Sequence, residues 1–247
     1  MPRTLLDKHW TKLKPILLDL GFYDKSNLKL TLEGILFRLK TSCQWRDIPE
    51  YFAKSNTLYR NFRYWVKTRK IDLLFNRLRH EPDWEWLFID GSHIRVHQHG
   101  TGIIGQGIGK TKGGNTTKIH LVVEAVGNPV HIEITEGTIA EVQVAPQCLQ
   151  SLPLEAVKVI SADKGYDAES LRGMIKAAGV KSNIPRKRNS RKGNGTMDWY
   201  LYKLRHLVEN AFARLKHFRG IATRYDKLKA HFRAFVLLAC CLIWLPL

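Results

Sequence analysis

Between residues 84 and 184 the chain carries five short runs of β-forming residues, and their order restricts the fold more than any other feature. The first three runs, 84–90, 118–124 and 130–135, follow one another with no helical pattern between them. Helical spacing then appears at about 140–152, a fourth strand at 157–161, a second helix at 168–178 and a fifth strand at 182–184. Three strands in succession pair most simply as an antiparallel meander. Strands separated by helices join a sheet by parallel crossovers. The expected fold class is therefore α/β, with a mixed sheet flanked by helices.

Helical patterns lie on both sides of this segment. Trp10, Leu13, Ile16, Leu17 and Leu20 recur at helical spacing, and Gly21 is a plausible stop. A second helix is expected at about 30–39. A third is expected at 57–68, with Ser55-Asn56 as its N-cap. Leu58, Phe62 and Trp65 form the apolar side of the third helix, and Arg60, Arg63 and Lys67 stand on it as cations. A small helical module ending in a basic helix resembles helix-turn-helix DNA readers, and the plainer reading is a bundle with a solvated basic face. Two more helices are expected at 199–218 and 229–244, after a basic loop at 185–196. The expected division is a helical module over residues 1–80 and a sheet-containing domain over 84–247.

Charge sets the class of partner. The chain of 247 residues has 40 Lys and Arg against 22 Asp and Glu, a formal net charge of +18. The excess is concentrated in two flanks. Residues 1–85 hold 17 bases and 10 acids, and residues 181–247 hold 15 and 3, whereas the middle holds 8 and 9. Such flanks point to a polyanion, with nucleic acid as the first candidate and an anionic membrane surface as the second. Cys43, Cys148, Cys240 and Cys241 form no CxxC pair, which suggests a reducing compartment. The opening MPRTLLDKHW lacks the apolar stretch of a secretory signal, and the apolar run 234–247 is shorter than the ~20 residues that span a bilayer. The expected location is the cytoplasm, in association with the nucleoid.

Two motifs mislead. Gly100, Gly102 and Gly105 match GxGxxG, but a strand rather than a helix is expected after them, so no nucleotide cofactor is expected. His93, His97 and His99 sit close in sequence, with no cysteine nearby to complete a structural metal site.

The acidic residues are few and well placed. Asp90 closes the first strand and Asp163 stands just beyond the fourth, and sites gather at strand ends in such sheets. Glu209 lies within a helix of the most basic segment. At ~100° per residue, with Tyr202 at zero, Arg205, Glu209 and Lys216 fall near 300°, 340° and 320°. Leu204, Leu207, Val208, Ala211, Leu215 and Phe218 take the opposite side. Read alone, that face is an ordinary salt-bridged helix. Set beside Asp90 and Asp163, it completes three carboxylates able to hold two divalent cations for phosphoryl transfer.

The spacing Tyr202-x2-Arg205-x3-Glu209-x6-Lys216 resembles the signature around the last acidic residue of bacterial insertion-sequence DDE transposases. Phe88-Ile89-Asp90-Gly91-Ser92 and Ala162-Asp163-Lys164-Gly165-Tyr166-Asp167 are similar to the regions of the first and second Asp. Gly113 to His120 and Thr41-Ser42-Cys43-Gln44-Trp45-Arg46-Asp47-Ile48-Pro49 resemble further blocks of the IS-five family. Lys112 and Glu141 stand where relatives often have Arg and Asp. The resemblance implies an RNase H-like catalytic domain, with Asp90, Asp163 and Glu209 as metal-binding catalytic residues. It also implies two Mg²⁺ or Mn²⁺ ions, cleavage at element ends and strand transfer to target DNA. Tyr202, Arg205, Lys216, Lys164, Lys118, Arg60, Arg63 and Lys67 are the expected contacts to double-stranded DNA, on which a homodimer or larger oligomer is expected. The alternatives are a stand-alone metal-dependent nuclease and a non-catalytic DNA-binding copy.

Overall fold

The structure is a computed structural model that describes residues 5–24, 26–79 and 81–245. The ends of the opening segment and of the apolar C-terminal run, residues 1–4 and 246–247, lie outside the described residues. In chain order the elements are α1 (Asp7–Asp19), α2 (Leu28–Thr41), α3 (Ser55–Lys67), α4 (Lys70–Leu78), β1 (Trp86–Val96), β2 (Gly109–Thr111), β3 (Gly114–Val123) and β4 (Pro129–Glu136). There follow α5 (Glu141–Gln150), β5 (Val159–Ala162), α6 (Glu169–Ala177), β6 (Lys181–Asn183), α7 (Trp199–Lys203) and α8 (His206–Lys216). The chain ends with α9 (Arg219–Ala222), β7 (Thr223–Arg224) and α10 (Lys229–Trp244). No helix among the described residues is long and apolar enough to cross a membrane.

Two compact units result, and they are not the contiguous 1–80 and 84–247. One comprises Met1–His80, Val96–Gln106 and Leu215–Leu247, and the other Glu81–Arg95 and Gly107–Arg214. The C-terminal helix thus packs with the N-terminal helices. Its sequence explains why: nearly all of α10 is apolar, so it must be enclosed on several sides. It packs on α3 and α4. Phe62 of α3 stacks on Phe235 of α10 at 4.5 Å, and Trp45 lies 5.3 Å from Phe62. Helix α4 has no counterpart in the sequence expectation, although Ile71, Leu74 and Phe75 have helical spacing and are buried. Ser55 is the first residue of α3 and not its cap; the cap position is Lys54, with no side-chain hydrogen bond. Gly21 does stop α1. It adopts φ +71°, and Gly21 N–H and Phe22 N–H donate to Leu18 O and Leu17 O, which satisfies carbonyls the helix leaves open.

The second unit is built on the expected mixed sheet. β3 runs antiparallel to both β1 and β4, β1 pairs parallel with β5, and β5 pairs parallel with β6. Leaving aside the short β2 on the edge of β3, the strands lie in the order β4-β3-β1-β5-β6. β3 is an interior strand, and Ile119, Leu121, Val122 and Val123 are all buried. α5 packs on β3 and β4, and α6 on β6.

Two boundaries correct the sequence reading. β1 does not close at Asp90 but continues to Val96, because Ser92 to Arg95 keep pairing with β3 even though Ser92, His93 and Arg95 are polar. The single helix expected at 199–218 is broken after Lys203. Around the break the bonds tighten to i→i−3, Arg205 N–H to Tyr202 O and Val208 N–H to Arg205 O, so the uniform angular phase used above does not hold across it. On α8 itself Val208, Ala211 and Leu215 are buried as expected.

Replacing Phe62 with Ala removes the stacked ring between α3 and α10, and unfolding experiments should show a loss of about 3–5 kcal/mol.

Candidate active site

Asp90 and Asp163 are neighbours because of the parallel pairing of β1 with β5. The register ends with Phe88 opposite Ser161 and Ile89 opposite Ala162. One further step sets Asp90 beside Asp163, about one strand spacing of ~4.8 Å apart. Each carboxylate is fixed locally. Asp90 Oδ1 accepts from Gly91 N–H at 2.8 Å, and Asp163 Oδ1 accepts from Gly165 N–H at 2.7 Å, capping the turn that follows β5.

Arg205, at the break between α7 and α8, joins Asp90 to Glu209. Its Nη2 donates to Asp90 Oδ2 at 3.0 Å and lies 3.7 Å from Glu209 Oε1. Its guanidinium also lies over the Tyr202 ring, 5.7 Å from the centroid. The Arg205 side chain is 14% exposed, whereas that of Glu209 is 60% exposed. Glu209 therefore reaches the aspartates through Arg205. Among the described residues no three His, Cys, Asp or Glu side chains converge closely enough to hold a metal ion.

The electrostatics are those of a crowded acidic site. Burial pushes the Asp90 pKa above its usual value and the charge of Asp163 adds to this, while Arg205 and the Gly91 N–H oppose it. Burial works against the charge on Arg205, but Asp90, Tyr202 and Asp163 hold its pKa above the ordinary value. Tyr166, in the turn after Asp163, is buried with no partner for its hydroxyl among the described residues, and burial with the nearby Asp90 and Glu141 charges pushes its pKa up. Paired Asp carboxylates are hard oxygen donors, the set preferred by a divalent cation that keeps several waters. The donor chemistry of Asp90 and Asp163 fits such an ion, with Glu209 held one guanidinium away.

Behind the site lies a pair that the sequence reading assigned otherwise. Lys118 was expected to contact DNA, but it is 3% exposed. Its Nζ sits 2.8 Å from Glu141 Oε1 and donates to Ile139 O at 2.7 Å. Its charge is committed inside the unit, so it is an internal counter-ion and not a DNA contact. Gly91 leaves room for this pair: a Cβ would fall 2.7 Å from Glu141 Cγ, so the Glu141 side chain would have to shift. Asp167 has a supporting role as well. It accepts from Arg172 at 2.9 and 3.0 Å and from Lys187 N–H at 2.8 Å, and Arg186 lies 3.3 Å away. Burial would raise its pKa, but these donors hold it below the usual carboxylate value. The signal in the sequence was the run of bases at 186–192, which needs an anchor.

The remaining expected contacts are dispersed. Lys164 is exposed in the turn after Asp163, and Lys216 is the exposed last residue of α8, assigned to the helical unit. Arg60, Arg63 and Lys67 are exposed on α3 and line a groove of about 500 Å³ with Tyr64 and His231. His93 bonds Gly137 O at 2.9 Å in the sheet unit, whereas His97 and His99 pack on each other in the helical unit.

The family described as "Transposase DDE domain" matches residues 85–244, and that described as "Putative transposase of IS4/5 family" matches residues 5–75. The chain belongs to the DDE transposases of bacterial insertion sequences. It is 42% identical to the "Putative transposase for insertion sequence element IS6501" of Brucella ovis, over 53% of this chain and 98% of that protein. It is 33% identical to the "Putative transposase for insertion sequence element IS402" of Burkholderia cepacia, over 51% of this chain and 62% of that protein. Among solved structures, a pre-cleavage Mos1 transpososome overlays at 11% identity and a TM-score of 0.29, covering 90% of this chain and 80% of that one. That overlay is too loose to carry an argument. DDE transposases use divalent metal ions.

Arg205→Gln should move the Asp90 titration to higher pH, since it removes an opposing charge and leaves burial and Asp163 in place. Carboxyl ¹³C NMR on the folded protein reads this directly. The sign carries to stability. A carboxyl raised on folding contributes stability below its unfolded pKa of ~3.9 and loses it as pH rises through the folded value. That loss should occur at higher pH in the variant.

Proposed function

We propose that Asp90, Asp163 and Glu209 are the catalytic carboxylates with which this transposase cleaves DNA at the ends of its insertion sequence and transfers the strand to a target. The observation that carries this reading is the junction of the three acids: Asp90 within β1, Asp163 one residue past the end of its parallel partner β5, and Glu209 linked to Asp90 through Arg205. Two Mg²⁺ or Mn²⁺ ions held there supply charge stabilisation at the phosphoryl oxygens and an activated oxygen nucleophile.

The side chains do the positioning. Asp90 and Asp163 are pre-set by their own backbone turns, so little reorganisation is needed when they take up their load. Arg205 pairs with Asp90 in the free protein. When the carboxylates are otherwise engaged, its guanidinium is free to bind a phosphate flanking the scissile bond, with Tyr202 against its face. Lys164 and Lys216 add cations for the DNA backbone.

DNA is held mainly outside this centre. The helical unit presents Arg60, Arg63 and Lys67 on one exposed face of α3, which suits the phosphates of an element end. A homodimer or larger oligomer on DNA is the working assembly, acting at the nucleoid in the cytoplasm.

Asp90→Ala, Asp163→Ala and Glu209→Ala should each abolish divalent-dependent cleavage of a duplex carrying the element end while leaving its binding intact. Normal cleavage by any of the three, correctly folded, removes that residue from the site. The triple change of Arg60, Arg63 and Lys67 to Ala should instead weaken end binding. Three lost phosphate contacts lower the slope of log affinity against log salt by about 2.7. An unchanged slope would place the DNA elsewhere.

A further inference from the structure

The block Thr41 to Pro49 has no part in the catalytic site, yet it builds the wall of a cleft of about 890 Å³ within the helical unit. The cleft is lined with aromatic rings. Trp45 and Tyr59 pack together with centroids 5.4 Å apart. Tyr225 and His99 also line it, and each packs on His97, at 4.7 and 4.9 Å. Gln44 and Asn56 contribute amide groups.

Arg38 lies among these groups with 7% of its surface exposed. Two of its nitrogens bond the Asp226 carboxylate at 3.0 and 3.4 Å, and its guanidinium covers the Trp45 ring at 4.8 Å. The charge of Arg38 is already balanced by Asp226, and Arg46 Nε donates to Gln44 Oε1 at 2.8 Å. Aromatic walls and amide groups match a neutral heteroaromatic ring with polar groups on its edge.

α3 supplies the source of such a ring. Ser55, Asn56 and Tyr59 line the cleft, and the same helix carries Arg60 and Arg63, whose guanidinium in the latter case lies 5.6 Å from the Tyr59 centroid. DNA whose backbone follows the basic face therefore passes the mouth of the cleft. A stacked base pair is too wide to enter, but one base turned out of the duplex is not. Stacking against the aromatic walls offsets the loss of stacking in the helix.

We propose that this cleft is a nucleobase pocket that takes one base extruded from duplex DNA bound along α3. The proposal rests on the DNA-binding reading of the helical unit, and its test separates the two. Duplexes carrying the element end are prepared with 5-iodouracil or with an abasic site at each position in turn, and are mixed with the full-length protein. Irradiation of one iodouracil position should cross-link to Tyr59, Tyr225, Trp45 or His99, mapped by mass spectrometry. Tyr59→Ala, and separately Gln44→Ala, should weaken binding of the intact duplex about tenfold. The abasic duplex at that position should bind wild type and both variants with equal affinity. Tight binding with no such cross-link, or equal weakening on intact and abasic duplexes, overturns the pocket and leaves α3 as a DNA contact. Cross-linking confined to single-stranded versions overturns extrusion from a duplex. Failure of the protein to bind any of the duplexes overturns both readings.

Discussion

The constraint on which the catalytic unit turns is the placement of two ionisable acids at the middle of a sheet. Asp90 is in the interior of β1, and the parallel partner β5 brings Asp163 next to it. Two carboxylates so close repel, and burial raises the cost of charging Asp90. Arg205 answers this by ion-pairing with Asp90. The break between α7 and α8 sets the position of that guanidinium, since the tightened i→i−3 turn alters the direction in which residue 205 leaves the helix. Sheet pairing, local charge balance and the irregularity of a helix are thus parts of one arrangement.

The surroundings maintain it. Lys118 and Glu141 form an ion pair packed against Gly91, directly after Asp90, so a side chain at that position would displace Glu141. A buried pair of this kind is a weak source of net stability, but losing either partner leaves an uncompensated charge. On the other side of the site Asp167 gathers Arg172, Arg186 and the Lys187 N–H, tying the basic loop to the turn that carries Asp163. Acids in two neighbouring blocks therefore have different roles. Asp90 is exposed to competing influences and has a raised pKa, whereas Asp167 is saturated with donors and has a lowered one.

Much of this was legible in the chain itself. The order of strands and helices specified a mixed sheet, because meander and crossover connections leave different spacings. Asp90, Asp163 and Glu209 stood out because acids are scarce in basic segments and fell near strand ends or on a polar helix face. α4 escaped notice since it is short and its apolar residues are interleaved with Asp72, Asn76 and Arg77, and β1 was cut short because Ser92, His93 and Arg95 do not look like strand residues. Lys118 was misread for a simple reason: nothing in a sequence tells a solvated lysine from one enclosed with a glutamate.

The sequence by itself determined the fold class, the basic flanks and the identity of the acidic residues, all of which follow from local periodicity and residue chemistry. Only the tertiary structure decided which acids meet, which cations are spent internally and which segments share a core. Those outcomes depend on strand register and on contacts between residues far apart in the chain. α10 shows the difference most clearly. Its apolar composition required burial, but composition is indifferent to the partner, and packing on α3 and α4 was settled by the shapes of rings such as Phe62 and Phe235.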